Sequence, residues 1–294
     1  MPNKLISIGE IIDRSINIYQ KHFANLISIS SWMLIVVILN IIALGLYPSA
    51  GKMIASEVLT STESAGVIIY ALTNFIISPI IAIFILVMLV RALKMVLAGK
   101  TIDTSKVMHE TKTRIIPTIL ISIMVFFVIL FASVISFSPA AILAMVSLWT
   151  QSTFLVTATN ILLIIGVFAA LILTIKWSVR FYLAPYITAS DDIKGKKSLI
   201  YSQKITDKKF WGVLLRLVLP KIVFLMIGVL IILFFGFIMS IVASTISGLN
   251  LNLELRIITL SDTIVPILAS IFVQPLIIIT DMILLNNLKG SVAK

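Results

Sequence analysis

Six stretches of this chain are apolar over the length that a lipid bilayer demands. A hydrocarbon core about 30 Å thick takes roughly 20 helical residues at ~1.5 Å each. That length is met near Ala24 to Leu46, Val67 to Val90, Ile115 to Phe137, Thr157 to Leu183, Val213 to Ala243 and Thr263 to Leu285. Each stretch is predicted as a transmembrane helix. Ahead of the first one the period changes: Ile8, Ile11, Ile12, Ile16, Tyr19 and Phe23 recur at helical spacing opposite Glu10, Asp13, Arg14, Asn17 and Lys21. That pattern predicts a helix lying in the membrane interface. Ser105 to Arg114 and Ser198 to Trp211 lead into the third and fifth spans in the same way. Each unit is then an interfacial helix, a span, a short loop and a returning span. Three such units, about 1–98, 99–190 and 191–294, form one integral membrane domain over 1–294. The expected fold class is all-α, a polytopic membrane protein of six transmembrane helices in three repeats.

Two loops are less regular. Leu249, Leu251, Leu253, Leu255 and Ile257 alternate with Asn250, Asn252, Glu254 and Arg256. Period two suits a half-buried strand, and a short helix on the outer interface suits the membrane setting equally well. Ser138 to Val156 is apolar enough either to rest on the membrane around Trp149 or to extend the third span with a break at Pro139.

Composition agrees with a membrane setting, at 60% hydrophobic residues and a mean hydropathy of +1.17. Charge adds an orientation. Of the 23 Lys and Arg residues, 21 fall in segments on one side of the spans, and the other side holds Lys52 and Arg256. With eight acidic residues beside those 21, the basic side carries about +13, against about −2 for the side holding Glu57, Glu63, Glu254 and Asp262. The positive-inside rule places the basic side, and with it both termini, in the cytosol of a cell-membrane protein. The first span is too long for a signal-peptide core, and Tyr47-Pro48-Ser49-Ala50 is a poor cleavage site, so that span is expected to stay as an anchor. The charge flanks spans instead of interleaving with aromatics on a soluble face, so nucleic acid is not an expected partner. Anionic inner-leaflet lipid is expected, and a protein docked on a collar of the three basic helices is the second partner class. The plainer alternative is that each helix is only an anchor with its apolar side on lipid. Phe23, Phe210 and Trp211 are placed at the headgroup level.

Polar residues inside spans are the usual pointers to function, because an unpaired polar group in hydrocarbon costs on the order of kilocalories. Asn40 and Asn74 lie at matching depths of roughly 10 Å, within reach of a mutual hydrogen bond. Gln274 precedes Pro275 near the middle of the sixth span, and Ser78-Pro79 interrupts the second at a comparable depth; paired breaks of this kind can mark a transporter site. Lys176, Arg180 and Lys221 can snorkel from the basic ends. Asp281 has a short stem and needs a partner, expected to be Lys176 or Arg180. Asn40, Asn74, Gln274, Asp281, Lys176 and Arg180 are therefore the candidate intramembrane polar site.

Soluble-enzyme chemistry finds no support. Gly99-Lys100-Thr101 imitates the end of a phosphate-binding loop, but Lys94 stands where glycine is required and a span precedes it instead of a strand. His22 and His109 lack a second ligand at metal spacing, and the chain has no cysteine. Asp191-Asp192 reads as a turn neutralised locally by Lys194. No catalytic, cofactor or metal site is expected.

The run Arg180-Phe-Tyr-Leu-Ala-Pro185-Tyr-Ile, the acidic turn at Asp191-Asp192, and then Ser198, Ser202, Lys209, Phe210 and Trp211 resemble the six-span membrane domain attached to some glycerophosphoryl diester phosphodiesterases. Gly9-Glu-Ile-Ile-Asp13 through Tyr19, Lys21 and Phe23 is similar to the opening helix of that group. The resemblance covers nearly the whole chain in layout and implies a stand-alone membrane domain. The phosphodiesterase chemistry belongs to a separate soluble barrel, so no catalytic residue carries over. The function expected is a non-enzymatic membrane protein that organises the membrane or docks a partner through its basic face. The alternative is a small carrier or channel for a lipid-like or small polar solute.

Overall fold

A computed structural model describes residues 5–54, 58–191, 193–247 and 251–292. Lys4, Glu57, Asp192, Leu249, Asn250 and Lys294 lie outside the described residues. The chain is helical throughout, with no strand among the described residues, and six helices are long and apolar enough to cross a membrane. In order they are α1 (Ile8–Lys21), α2 (Phe23–Ser30), α3 (Leu34–Leu46), α4 (Ala50–Ile54), α5 (Ser61–Leu72) and α6 (Ser78–Leu97), then α7 (Thr104–Thr150), α8 (Thr153–Phe181), α9 (Ala184–Ser190), α10 (Lys196–Thr206), α11 (Phe210–Ser247) and α12 (Leu251–Val292). The first span joins α2 to α3 through a single 3₁₀ turn, and the second joins α5 to α6 through a π-helical turn, Thr73–Ile77.

Two of the three predicted leading helices are separate elements. Ser7 caps α1 by accepting from the Glu10 backbone N–H at 3.1 Å, and the chain breaks at His22, where φ is −119° and ψ 21°. α10 ends in a 3₁₀ turn at Asp207–Lys209. Ser105 to Arg114 differs, being the opening turns of α7 itself. No residue between Thr104 and Ile116 disfavours helix, so nothing turns the polar stretch away from the span's axis. At 47 residues α7 is about 70 Å long, well beyond the ~40–45 Å of a whole bilayer.

Both irregular loops are helical too. From Leu251 onward the alternating segment is the start of α12. Packing overrides a period-two pattern here, since hydrocarbon leaves an isolated strand without backbone partners. Ser138 to Thr150 extends α7 without a break at Pro139. The proline frees the Ile135 carbonyl, and the neighbouring Ser138 hydroxyl donates to it at 2.9 Å. Gly99 sits at φ +75° just past the end of α6, and the Gly99 and Lys100 N–H groups close back on the Val96 and Met95 carbonyls. The glycine that imitated a phosphate loop is a helix stop.

Contacts divide the chain into two compact units. One is Met1–Ile115 with Leu215–Asn287, the other Ile116–Leu214 with Leu288–Lys294. In the first unit α3 packs on α5 so closely that a Cβ on Gly66 would stand 2.7 Å from the Leu46 backbone carbon. Thr60 and Glu63 form a capping box on α5, and Lys52 closes the hairpin by binding Glu63 at 2.8 Å. Part of the apolar side of α1 packs on protein: Ile12 and Tyr19 rest on Phe224, Val273 and Leu276, while Ile16 stays exposed. Its leading end is tied down by Arg216, which donates to the Ile6 carbonyl, and by Asn287, which accepts from the Ile6 N–H at 3.3 Å.

In the second unit Gly166 brings α8 against α7, with the Ser136 carbonyl 3.0 Å from where a Cβ would lie. Ile121, Ala184 and Leu199 form a small core between α7, α9 and α10. Most of the remaining α8 surface, including Ile164, Phe168 and Ile172, is exposed and apolar on several sides, which suits contact with lipid.

Gly66→Ala is expected to lower stability by about 1–3 kcal/mol, because backbone at 2.7 Å cannot yield as a side chain would. Gly236→Ala, with nothing within 4 Å of its Cβ, serves as the control. Thermal unfolding of the purified protein in detergent compares them; equal midpoints would refute the close-contact account.

Candidate functional site

The polar residues of the spans are arranged in pairs. Asn40 on α3 is fully buried, and its Nδ2 donates to the Val36 carbonyl at 3.0 Å. Its Oδ1 accepts from Asn74 Nδ2 at 2.9 Å, and Asn74 also donates to the Tyr70 carbonyl at 2.9 Å. Asn74 lies in the π turn, where the Ser78 N–H reaches back five residues to the Thr73 carbonyl just ahead of Pro79. The wider turn accommodates the helix break ahead of that proline and faces one asparagine to the other. Beside them the Thr73 hydroxyl is buried with no partner. Gln274, half-buried next to Pro275, shares no hydrogen bond with either asparagine.

Asp281 is 1% exposed and pairs with Lys221 at 2.9 Å. This corrects the expectation of Lys176 or Arg180. Both of those lie on α8 in the other compact unit, where Arg180 binds Asp207 at 2.7 Å and Lys176 is exposed. The physical reason for the Lys221 pairing is antiparallel geometry. Gly228 on α11 meets Val273 on α12, its Cβ position lying 3.2 Å from Val273 Cγ2. Lys221 is seven residues before that contact and Asp281 eight after it, so two turns along the same seam they meet. That register is readable only once the two helices are known to touch.

Other charges serve the fold. Arg91 is 9% exposed and binds Glu110 at 3.1 Å, which ties α6 to the polar start of α7. Arg256, one of the two basic residues on the sparsely charged side, donates to the Gly45 and Tyr47 carbonyls at 3.0 and 2.9 Å. It thereby satisfies the open end of α3. Asp191 accepts from Lys289, not from neighbouring Lys194, so its neutralisation comes from the far end of the chain. Trp211 is 73% exposed, with Phe210 edge-on to it at 5.4 Å, and Phe23 meets Tyr19 edge-on at 5.3 Å.

Two clefts are mainly apolar, whereas a smaller one of about 150 Å³ is lined by Tyr47, Ser49, Arg256 and Thr259 as well as Leu44 and Met53. A cleft of about 530 Å³ lies among α3, α11 and α12, walled by Ile41, Phe235, Met239 and Leu268, with Ser261 as its polar side chain. A second, of about 610 Å³, lies among α1, α11 and α12 and adds Tyr19 and Gln20. Burial pushes the Tyr19 hydroxyl above the usual phenol range, which keeps it a neutral donor. Neither cleft is lined by any of the six candidate polar residues. Sequence reading missed Tyr19 and Gln20 as a site; the one signal for them was an aromatic hydroxyl on the apolar side of an amphipathic helix.

The chain matches no family model, no curated protein and no solved structure.

Asp281→Ala is expected to cost about 3–5 kcal/mol, because it breaks the ion pair that Lys221 makes in a largely desolvated place. The double variant Lys221→Met, Asp281→Leu is expected to recover most of that loss. Unfolding in detergent decides it: a single variant as stable as the parent would mean that the pair is exposed to water.

Proposed function

We propose that this chain is a non-enzymatic integral membrane protein that organises the membrane or docks a partner through its basic face. The observation that carries the reading is the state of the intramembrane polar groups. Asn40 and Asn74 spend their amides on one another and on helix carbonyls, and Asp281 is neutralised by Lys221. A carrier for a polar solute needs such groups turned to a cavity, and none of the described clefts is lined by Asn40, Asn74 or Asp281. The excess of Lys and Arg supports the other half of the reading. Eight acidic residues on that side cannot neutralise its 21 basic ones, whatever pairs they form.

By the positive-inside argument this face and both termini are cytosolic, and the protein resides in the cell membrane. The basic residues of the segment from Lys194 to Lys209 then meet the anionic leaflet, worth about 1 kcal/mol per charge near the surface. The likeness to the membrane domain of some glycerophosphoryl diester phosphodiesterases fits a membrane domain of this kind. A lipid-like solute is the second reading, favoured by the apolar character of both clefts.

The native chain lacks cysteine, which makes a direct test available. Single cysteines at Asn40, Asn74 and Gln274 are expected to resist a membrane-impermeant thiol reagent from both sides of the membrane. Labelling of Gln274 from either side would reveal a water-filled path and overturn the organising role. In the same preparations, Lys194, Lys196, Lys197 and Lys204 changed together to Glu are expected to reduce co-purifying anionic lipid.

A further inference from the structure

Arg256 carries a charge that no carboxylate among the described residues neutralises. Its Nη1 and Nη2 donate to the Gly45 and Tyr47 carbonyls at 3.0 and 2.9 Å. Those bonds use part of the guanidinium's donor set, and carbonyls bring dipoles without a counter-charge. Lys52, the other cation of the sparsely charged side, differs, because Glu63 binds it at 2.8 Å. A guanidinium already held by two backbone carbonyls has lost much of its side-chain freedom, so a further partner orders little more.

Arg256 lines the cleft of about 150 Å³ that the end of α3, α4 and the start of α12 enclose within the first compact unit. The other lining side chains sort by chemistry. Ser49 accepts from the Lys52 backbone N–H at 3.4 Å, which leaves its own hydroxyl hydrogen to donate. Thr259 spends its hydrogen on the Leu255 carbonyl at 2.8 Å and offers an acceptor. Leu44, Pro48, Met53 and Leu255 form the apolar wall, and the acidic residues of the same stretch, Glu254 and Asp262, are not among the lining residues. A cation with spare N–H donors, a hydroxyl donor and no acidic lining select an oxyanion. The apolar wall fits an oxyanion that bears carbon, as an ester does. The cleft also lies where the first span ends at Leu46, the depth at which a bilayer presents its phosphates.

We propose that this cleft is a binding site for a phosphate ester, its unesterified oxygens held by Arg256 and Ser49 and its carbon side set against Leu44, Met53 and Leu255. The phosphodiester of a phospholipid headgroup and a small soluble phosphate ester share that chemistry. The site is on the side opposite the basic face, so it goes beyond the function proposed above and stands independently of it.

The lack of native cysteine gives a readout local to the cleft, where anionic lipid on the basic face has no effect. In the full chain, purified in a detergent without phosphate, Met53→Cys places a thiol in the cleft wall. Val58→Cys, at a position 94% exposed and outside the cleft, is the reference. The rate of reaction with an uncharged maleimide is measured in sodium chloride, and again at the same ionic strength with dimethyl phosphate, with dioctanoyl phosphatidylglycerol, or with dioctanoylglycerol, which has no phosphate. The expected result is protection of the thiol at 53, and not of that at 58, by a phosphate compound. Protection by the phospholipid alone identifies a lipid headgroup as the source, whereas protection by dimethyl phosphate identifies an ester that binds from water. Arg256→Lys keeps the charge and loses the fork, and is expected to raise the concentration for half-protection about tenfold. No protection by either phosphate compound, or equal protection by dioctanoylglycerol, would overturn the site, and both are read with Arg256 intact. An unchanged half-protection concentration in Arg256→Lys would overturn it as well.

Discussion

Hydrocarbon offers an apolar helix no reason to leave lipid for another apolar helix, and that constraint shapes everything else in this protein. Association has to come from close approach and from polar groups that find no other partner. The hairpin of the first two spans uses both devices. Gly66 lets the backbones meet, and the Asn40–Asn74 hydrogen bond sets their register in the membrane interior. Lys52 and Glu63 fasten the end of the same hairpin, where water is near. The seam of α11 and α12 repeats the design with Gly228 against Val273 and with Lys221 against Asp281. Such pairs contribute on the order of 1 kcal/mol each. Their larger effect is selective, because a slipped register would leave an amide or a carboxylate unpaired in lipid.

The two compact units use these devices to different extents. In the first, α12 is two-thirds buried along its apolar stretch, and the run from Val87 to Leu93 on α6 is buried on every side. A helix surrounded in this way acts as the core of its unit. In the second, α8 is buried over only about a tenth of its apolar stretch and contacts α7 chiefly through Gly166. Its order comes instead from one end, where α10 packs beside α9. There Ser202 donates to the Arg180 carbonyl at 2.6 Å, and Arg180 in turn binds Asp207. The leading helices α1 and α10 are therefore structural parts of their units, with part of each apolar side packed on protein.

This arrangement bears on function through what it uses up. In the first unit Asn40 with Asn74 and Lys221 with Asp281 each close a seam, so three of the polar residues that sequence reading singled out, Asn40, Asn74 and Asp281, hold helices together. The two larger clefts along α11 and α12 are mainly apolar, with Tyr19 and Gln20 beside one of them.

Much of this architecture was legible in the residues themselves. Six spans follow from hydropathy alone, because a bilayer's thickness translates directly into a count of apolar residues. The Asn40–Asn74 contact was within reach for a related reason, since a short loop between two spans fixes which depths face each other. α1 was legible from its period. The merging of Ser105 to Arg114 into α7 and the Lys221 partner of Asp281 were not. Each depends on which helices touch and in what register, and apolar surfaces of similar composition carry little information about that choice. The sequence by itself determined where the chain enters and leaves hydrocarbon, because that is a local balance of transfer free energies. Only the tertiary structure decided which polar groups meet and where a furrow remains, because in lipid those are settled by close packing between residues far apart in the chain.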